Sequence, residues 1–198
     1  MKNATKLSIA VAAAAMAFIG SVQAQTTPSS GYSINSPGAT YLGFNFGQSE
    51  YRLNNGIGGF AADKRKNTYN IYGGTYFSEY LGAQLGYTDF DRISRAGGTT
   101  YANGFTVSLV GRLPVAPSFN LLGRLGTTYS RTEVSSNAAS GIVPGNESSW
   151  GASYGVGAEY IFSPNWSGVL QYDEYRMKFA GTGRDKVNAT SLGVRYRF

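Results

Sequence analysis

The chain contains no cysteine and no histidine among its 198 residues. Without cysteine there is no disulfide framework and no thiolate nucleophile, so stability must come from the hydrogen-bonded fold itself. Without histidine the usual general base and the commonest metal ligand are missing, which weighs against hydrolase triads and zinc sites. Long apolar runs are also scarce. Outside residues 7–19 every apolar segment is interrupted by charged or polar residues, and that one run is shorter than the roughly 20 residues a spanning helix needs. If the chain enters a membrane, strands must take it there. Proline occurs only 6 times, against Gly 27 and Tyr 15, a balance that suits glycine-tolerant strands carrying aromatic belts.

The N-terminus sets the compartment. Lys2 and Lys6 precede the apolar run 7–19, and Val22-Gln23-Ala24 supplies the small residues a signal peptidase reads. Residues 1–24 are therefore expected to be a removable secretory signal. Their removal takes away Lys2 and Lys6 and lowers the net charge from +6 to +4, too small an excess to imply a nucleic-acid partner. Residues 25–38, polar and containing Pro28 and Pro37, are expected to be a flexible extension.

From residue 39 to 198 the sequence breaks into eight period-two segments, at about 39–51, 66–77, 80–91, 100–113, 119–132, 149–162, 166–178 and 188–198. Each is long enough to cross a bilayer at a tilt, which takes roughly 9–11 residues. Short turns at 78–79, 114–118 and 163–165 alternate with longer polar loops at 52–65, 92–99, 133–148 and 180–187. That asymmetry is expected of an outer-membrane barrel with short periplasmic turns and long external loops. One face of each segment is apolar: Leu42, Phe44 and Phe46 in the first, Phe105, Val107, Leu109 and Leu113 in the fourth, Leu192, Val194, Tyr196 and Phe198 in the last. No charge interrupts these faces at mid-strand. Aromatics gather at the ends, with Phe77, Tyr80, Phe119, Phe162, Trp166 and Phe198 near the turns and Tyr51, Tyr101, Trp150 and Tyr175 near the loops, as two interfacial girdles would. The fold expected is all-β: an eight-stranded antiparallel up-and-down transmembrane barrel. A secreted ligand-binding barrel, the competing architecture, would place large apolar residues inside.

The opposite faces are polar, and a narrow lumen must pair or hydrate its charges. Gln84, Arg112, Arg124, Glu159, Gln171, Asp173, Arg195 and Arg197 form the expected network. Arg124 and Glu159 stand on neighbouring strands, and a ladder of hydrogen bonds and ion pairs is expected through Arg124, Glu159, Gln171 and Arg195. Such a ladder fills an eight-stranded interior or, alternatively, lines a small-conductance pore.

Four segments, SEYLGAQLGYTDF (78–90), FNLLGRLGTTYSRTE (119–133), SYGVGAEYIFSPNWSGVLQYDEY (153–175) and SLGVRYRF (191–198), resemble the transmembrane domain of outer-membrane protein A in order and spacing. The resemblance implies a Gram-negative outer-membrane barrel inserted by the barrel-assembly machinery, which in this family reads the C-terminal strand and its final aromatic. Tyr196 and Phe198 carry that signal here. The family's gate, an acidic residue switching between two basic ones, maps to Gln84, Val110 and Val169, all uncharged. A full-length outer-membrane protein A continues into a peptidoglycan-binding domain, so the tethering role is expected to be absent.

At the outer rim Lys64, Arg65 and Lys66 sit at a height where lipopolysaccharide phosphates meet a barrel, with a solvated charge run as the competing reading. Loop 133–148 is long enough to contact a surface partner, which nothing in it names. The N-x-S/T triplets at Asn146, Asn165 and Asn188 read as chance in a bacterial chain. Asp89, Asp91, Asp173 and Glu174 read as rim residues pairing with Arg92, Arg95 and Arg176 rather than as a catalytic acid pair. The sequence thus points to a non-enzymatic outer-membrane barrel without metal or cofactor, structural or interactive in role, with a small pore as the alternative.

Overall fold

The computed structural model describes residues 37–51, 65–95, 98–136, 145–179 and 183–198. The expected signal segment, most of the extension, Lys64 and the tips of the four loops lie outside the described residues. Eight strands follow in chain order: β1 (Thr40–Tyr51), β2 (Arg65–Tyr76), β3 (Leu81–Arg95), β4 (Gly98–Ala116), β5 (Phe119–Ser136), β6 (Gly145–Ile161), β7 (Trp166–Phe179) and β8 (Gly183–Arg197). Each pairs antiparallel with its sequence neighbour, and β1 closes on β8 from Tyr41 opposite Arg197 to Tyr51 opposite Val187. Closure leaves no unpaired edge, which is what allows strands to stand in lipid at all.

Several strands run further toward the loops than the sequence reading expects. β3 and β4 continue to Arg95 and from Gly98, β5 and β6 to Ser136 and from Gly145, and β8 starts at Gly183. The described parts of the expected loops 92–99, 133–148 and 180–187 are ladder. Their polar composition hid them, because a strand that rises into water needs no apolar face. At the other end the turns are tight. Ser78 Oγ accepts from the amides of Tyr80 and Leu81 at 3.3 and 3.0 Å, and Ser163 and Trp166 exchange backbone bonds at 3.2 Å, the local hydroxyl and backbone closures that suit serine to turns. The register shifts between Pro114 and Ala116, a bulge at the strand end, where a proline does least harm to the ladder.

Burial alternates with period two and sorts the side chains as the pleat requires. Facing outward and exposed are Phe44 and Phe46, Ile71, Leu81 and Leu85, Val107, Leu109 and Leu113, Leu121 and Leu125, Val156, Leu170, Leu192 and Val194. Leu109 stands opposite Leu125, and Leu125 opposite Tyr154, so neighbouring strands join their apolar stripes into a band. Toward the turns the band is rimmed by Phe77, Tyr80, Phe119, Tyr160, Phe162, Trp166 and Phe198, and toward the loops by Tyr69, Tyr129, Trp150 and Tyr172. Trp166 packs edge-on to Tyr196 at 4.9 Å, Tyr196 on Phe198 at 5.1 Å, and Tyr129 on Trp150 at 5.3 Å. No helix among the described residues is long and apolar enough to cross a membrane. Apolar residues outside and polar ones inside are the inverse of a soluble ligand-binding barrel.

Candidate functional site in the barrel lumen

The lumen is where the buried polar residues collect, and register decides which of them meet. On β6 Glu159 stands opposite Asn120 of β5, while Arg124 stands opposite Gly155. The four-residue offset separates the expected partners Arg124 and Glu159, and each finds another. Glu159 Oε1 takes Arg195 Nη1 at 3.2 Å and Arg197 Nη2 at 2.8 Å. Its carboxylate also accepts from Asn120 Nδ2 at 2.9 Å and Ser167 Oγ at 2.7 Å. Arg124 pairs with Asp173 at 2.7 Å and donates to the Tyr175 hydroxyl at 2.9 Å. The sequence reading placed the charges on the correct face. The expected ladder through Arg195, Glu159 and Gln171 is present, but Arg124 does not meet Glu159, because strand shear is not written in the periodicity.

Glycines let these groups approach. Gly155 lies between Arg124 and Asp173 in the β5–β6–β7 register, and a Cβ there would overlap the Asp173 carboxylate. Gly43 opposes Tyr72, whose ring lies where a Cβ of residue 43 would go; the ring covers the glycine.

The lumen is layered. Nearest the turns lie Arg112, Arg195, Arg197 and Glu159 with three tyrosines. Arg112 donates to the Glu79 carbonyl at 2.9 and 3.1 Å and stacks over Tyr76 at 3.9 Å. Arg195 lies over Tyr41 at 4.2 Å and donates to the Tyr76 hydroxyl at 3.3 Å. A middle layer ties strands across the interior: Tyr41 donates to Gln84 Oε1 at 3.0 Å, Asn45 to Gln171, and Tyr72 to Asn45 Oδ1 at 3.3 Å. Above them sits the Arg124–Asp173 pair. Nearest the loops an apolar cluster of Phe90, Ala102, Tyr175, Met177, Val187 and Ala189 fills the bore, with Phe90 edge-on to Tyr175 at 5.3 Å.

Two expectations are corrected here. Tyr175 is not a girdle residue: it is buried in the lumen, because it shares the parity of Gln171, Asp173 and Met177 on β7. Asp173 and Glu174 are not both rim residues. They point to opposite faces of β7, Asp173 inward to Arg124 and Glu174 outward to Lys186 at 2.8 Å and to the Tyr154 hydroxyl. Asp89 accepts from the Tyr101 hydroxyl at 2.8 Å. The sequence reading also missed the apolar cluster and the Asn120 and Ser167 contacts. The usable signal was parity, since Phe90 continues Gln84 and Thr88, and Met177 continues Asp173. Of the rim triplet, Arg65 stands opposite Glu50 and Lys66 opposite Ser49, which puts Lys66 on the register face of the lumen residues Thr68 and Asn70.

At the positions matching the gate, Gln84 is bonded to Tyr41, Val110 packs with Tyr41, Tyr72 and Tyr76, and Val169 is buried. None carries charge. Among the described residues no group of three or more acidic side chains could hold a metal.

Outer membrane protein A of Serratia marcescens is 29% identical over 175 residues, 80% of this chain, and this chain spans about half (49%) of that protein's length. Among solved structures, Ail, the attachment invasion locus protein of Yersinia pestis, superposes with a TM-score of 0.58 at 20% identity, over 82% of this chain and 100% of its own. Neisserial surface protein A does so with a TM-score of 0.65 at 14% identity, over 81% and 99%. At those identities the likeness is one of fold. The family model for the outer membrane protein beta-barrel domain matches residues 10–198, and with an apolar exterior and a polar, closed interior the chain belongs to that family.

Proposed function

We propose that the chain acts as a structural or surface-contact barrel of the Gram-negative envelope and not as a pore or an enzyme. The observation that carries this is the packed lumen: Phe90, Met177 and Val187 fill one end, and Arg112, Arg195, Arg197 and Glu159 with their tyrosines fill the other. An eight-stranded bore is just wide enough for its own side chains. Uncharged Gln84, Val110 and Val169 supply no switching ion pair. Ladders that extend past the loop-end aromatics, as β4 and β5 do, support a surface that presents its connections to partners outside the cell, the kind of role the words attachment and surface carry in the names of two structural neighbours.

The remaining assignments belong to the same reading. Residues 1–24 are cleaved on export, and β8 with Tyr196 and Phe198 is read by the barrel-assembly machinery. Lipid surrounds the apolar band, and lipopolysaccharide phosphates meet Lys64 and Arg65 at the rim. Deletion in the native host tests the role. Loss of the chain should sensitise cells to SDS and vancomycin or abolish a surface-binding phenotype, with rescue by the intact gene. Cells unchanged in both respects but slower in small-solute uptake would contradict it.

A further inference from the structure

On the outer wall of β7 the side chains change character in steps of two. Leu170 and Tyr172 are exposed in the apolar band and its girdle, Glu174 follows, and Arg176 stands exposed beyond it. The neighbouring wall of β8 matches it: Leu192 lies opposite Leu170, Thr190 opposite Tyr172, Asn188 opposite Glu174, and exposed Lys186 opposite Arg176. Two cations thus stand side by side on adjacent strands, just beyond the aromatics of the loop-end girdle. The same ladder continues with Lys178 opposite Arg184.

Lys186 leans toward the membrane and not away from it. Its ammonium lies 2.8 Å from Glu174 Oε1, an oxygen that also accepts from the hydroxyl of Tyr154, an exposed aromatic of β6. The charge therefore sits beside a tyrosine hydroxyl, although its Cα is two residues, roughly 7 Å of strand, nearer the loops than Asn188, the register partner of Glu174. Glu174 holds the ammonium without enclosing it, since the Lys186 side chain is still 45% exposed. Lipid headgroups occupy roughly 5–8 Å beyond the hydrocarbon on each side of a bilayer, so cations at this height and on this face meet headgroups. Four strands round the ring the sign is reversed, where Asp89 and Asp91 flank the inward-facing Phe90 on β3. An anionic headgroup is drawn to one side of the barrel.

We propose that the outer wall of β7 and β8 is a docking site for one phosphorylated lipid of the outer leaflet, its phosphate held by Arg176 and Lys186 and its acyl chains lying along Leu170, Tyr172 and Leu192. The inference rests on the envelope reading above and adds to it a lipid class and a fixed place on the barrel. A guanidinium offers a phosphate two parallel donors, and an ammonium offers it a point charge. A free anion would leave the apolar continuation of the same wall unused.

The test is native mass spectrometry of the folded wild-type barrel in a non-ionic detergent, titrated with bisphosphorylated lipid A or with the same lipid stripped of its phosphates. The first-bound copy of the phosphorylated lipid should be held about tenfold more tightly than the stripped one, the order of magnitude of one charge-assisted hydrogen bond. Arg176→Gln/Lys186→Gln should lower that first affinity about tenfold and leave the stripped lipid unaffected, whereas Arg131→Gln, which alters an exposed charge on β5, should change neither. Equal retention of the two lipids, an unchanged first affinity in the double variant, release of lipid A by millimolar sodium phosphate, or a second copy of the chain bound in place of the lipid would overturn the proposal. Insertion into phosphatidylcholine vesicles, read as a heat-shifted mobility, is measured beside it. A barrel that inserts without the phosphate preference loses this site alone, and one that does not insert loses the envelope reading with it.

Discussion

Glu159 ties the turn end of the interior together, since it pairs with Arg195 and Arg197 and accepts from Asn120 and Ser167. Removing one partner of a buried pair leaves the other charge uncompensated, which costs about 3–5 kcal/mol. Glu159→Gln should therefore lower the urea midpoint of the vesicle-reconstituted barrel by that equivalent, and an unchanged midpoint would mean the arginines are hydrated instead of paired. At Gly155 the effect is steric. Gly155→Ala pushes a methyl into Asp173 and should cost about 1–3 kcal/mol. That cost should shrink in an Asp173→Ala background, a coupling readable in a double-mutant cycle. At this scale the sequence shows which residues face inward, because parity survives from end to end of a strand. It does not show who pairs with whom. Arg124 and Glu159 looked like neighbours, and shear set them four residues apart.

At the scale of a strand, β4 is the clearest example of two environments on one backbone. Val107, Leu109 and Leu113 face out, and Thr106, Ser108, Val110 and Arg112 face in. A lipid-facing arginine costs about 2–4 kcal/mol at the bilayer midplane and about 0–1 near the interface. Leu109→Arg should thus destabilise the folded barrel by the larger amount and Val115→Arg, at the turn end of the same strand, by the smaller. Equal costs measured by equilibrium unfolding would mean that β4 does not cross the bilayer where its apolar band lies. The eight strands were legible in the sequence to within a few residues at the turn end, where serine turns and girdle aromatics mark each stop. At the loop end β1, β2 and β7 were legible too, whereas β3, β5, β6 and β8 run four or five residues further than expected. Residues 145–148 and 183–187 are ladder residues with too little apolar character to register.

For the whole molecule, closure and the inside-out distribution of side chains are the features the sequence shows best, because lipid and lumen impose opposite polarity on alternate residues through every strand. The apolar filling went unread although parity carried it: Phe90 shares the face of Gln84 and Thr88, and Met177 that of Asp173. A closed, fully hydrogen-bonded barrel should run as a compact, SDS-resistant species unheated and change mobility on boiling, and a single unshifted band in both lanes would contradict closure. The central claim concerns the bore. It is tested most directly by planar-bilayer recording of the wild-type barrel beside a Phe90→Gly/Met177→Gly variant that thins the loop-end plug. A packed lumen predicts no discrete, reproducible conductance steps from the wild type; such steps in the wild type, unchanged in the variant, would show that the lumen conducts past these side chains.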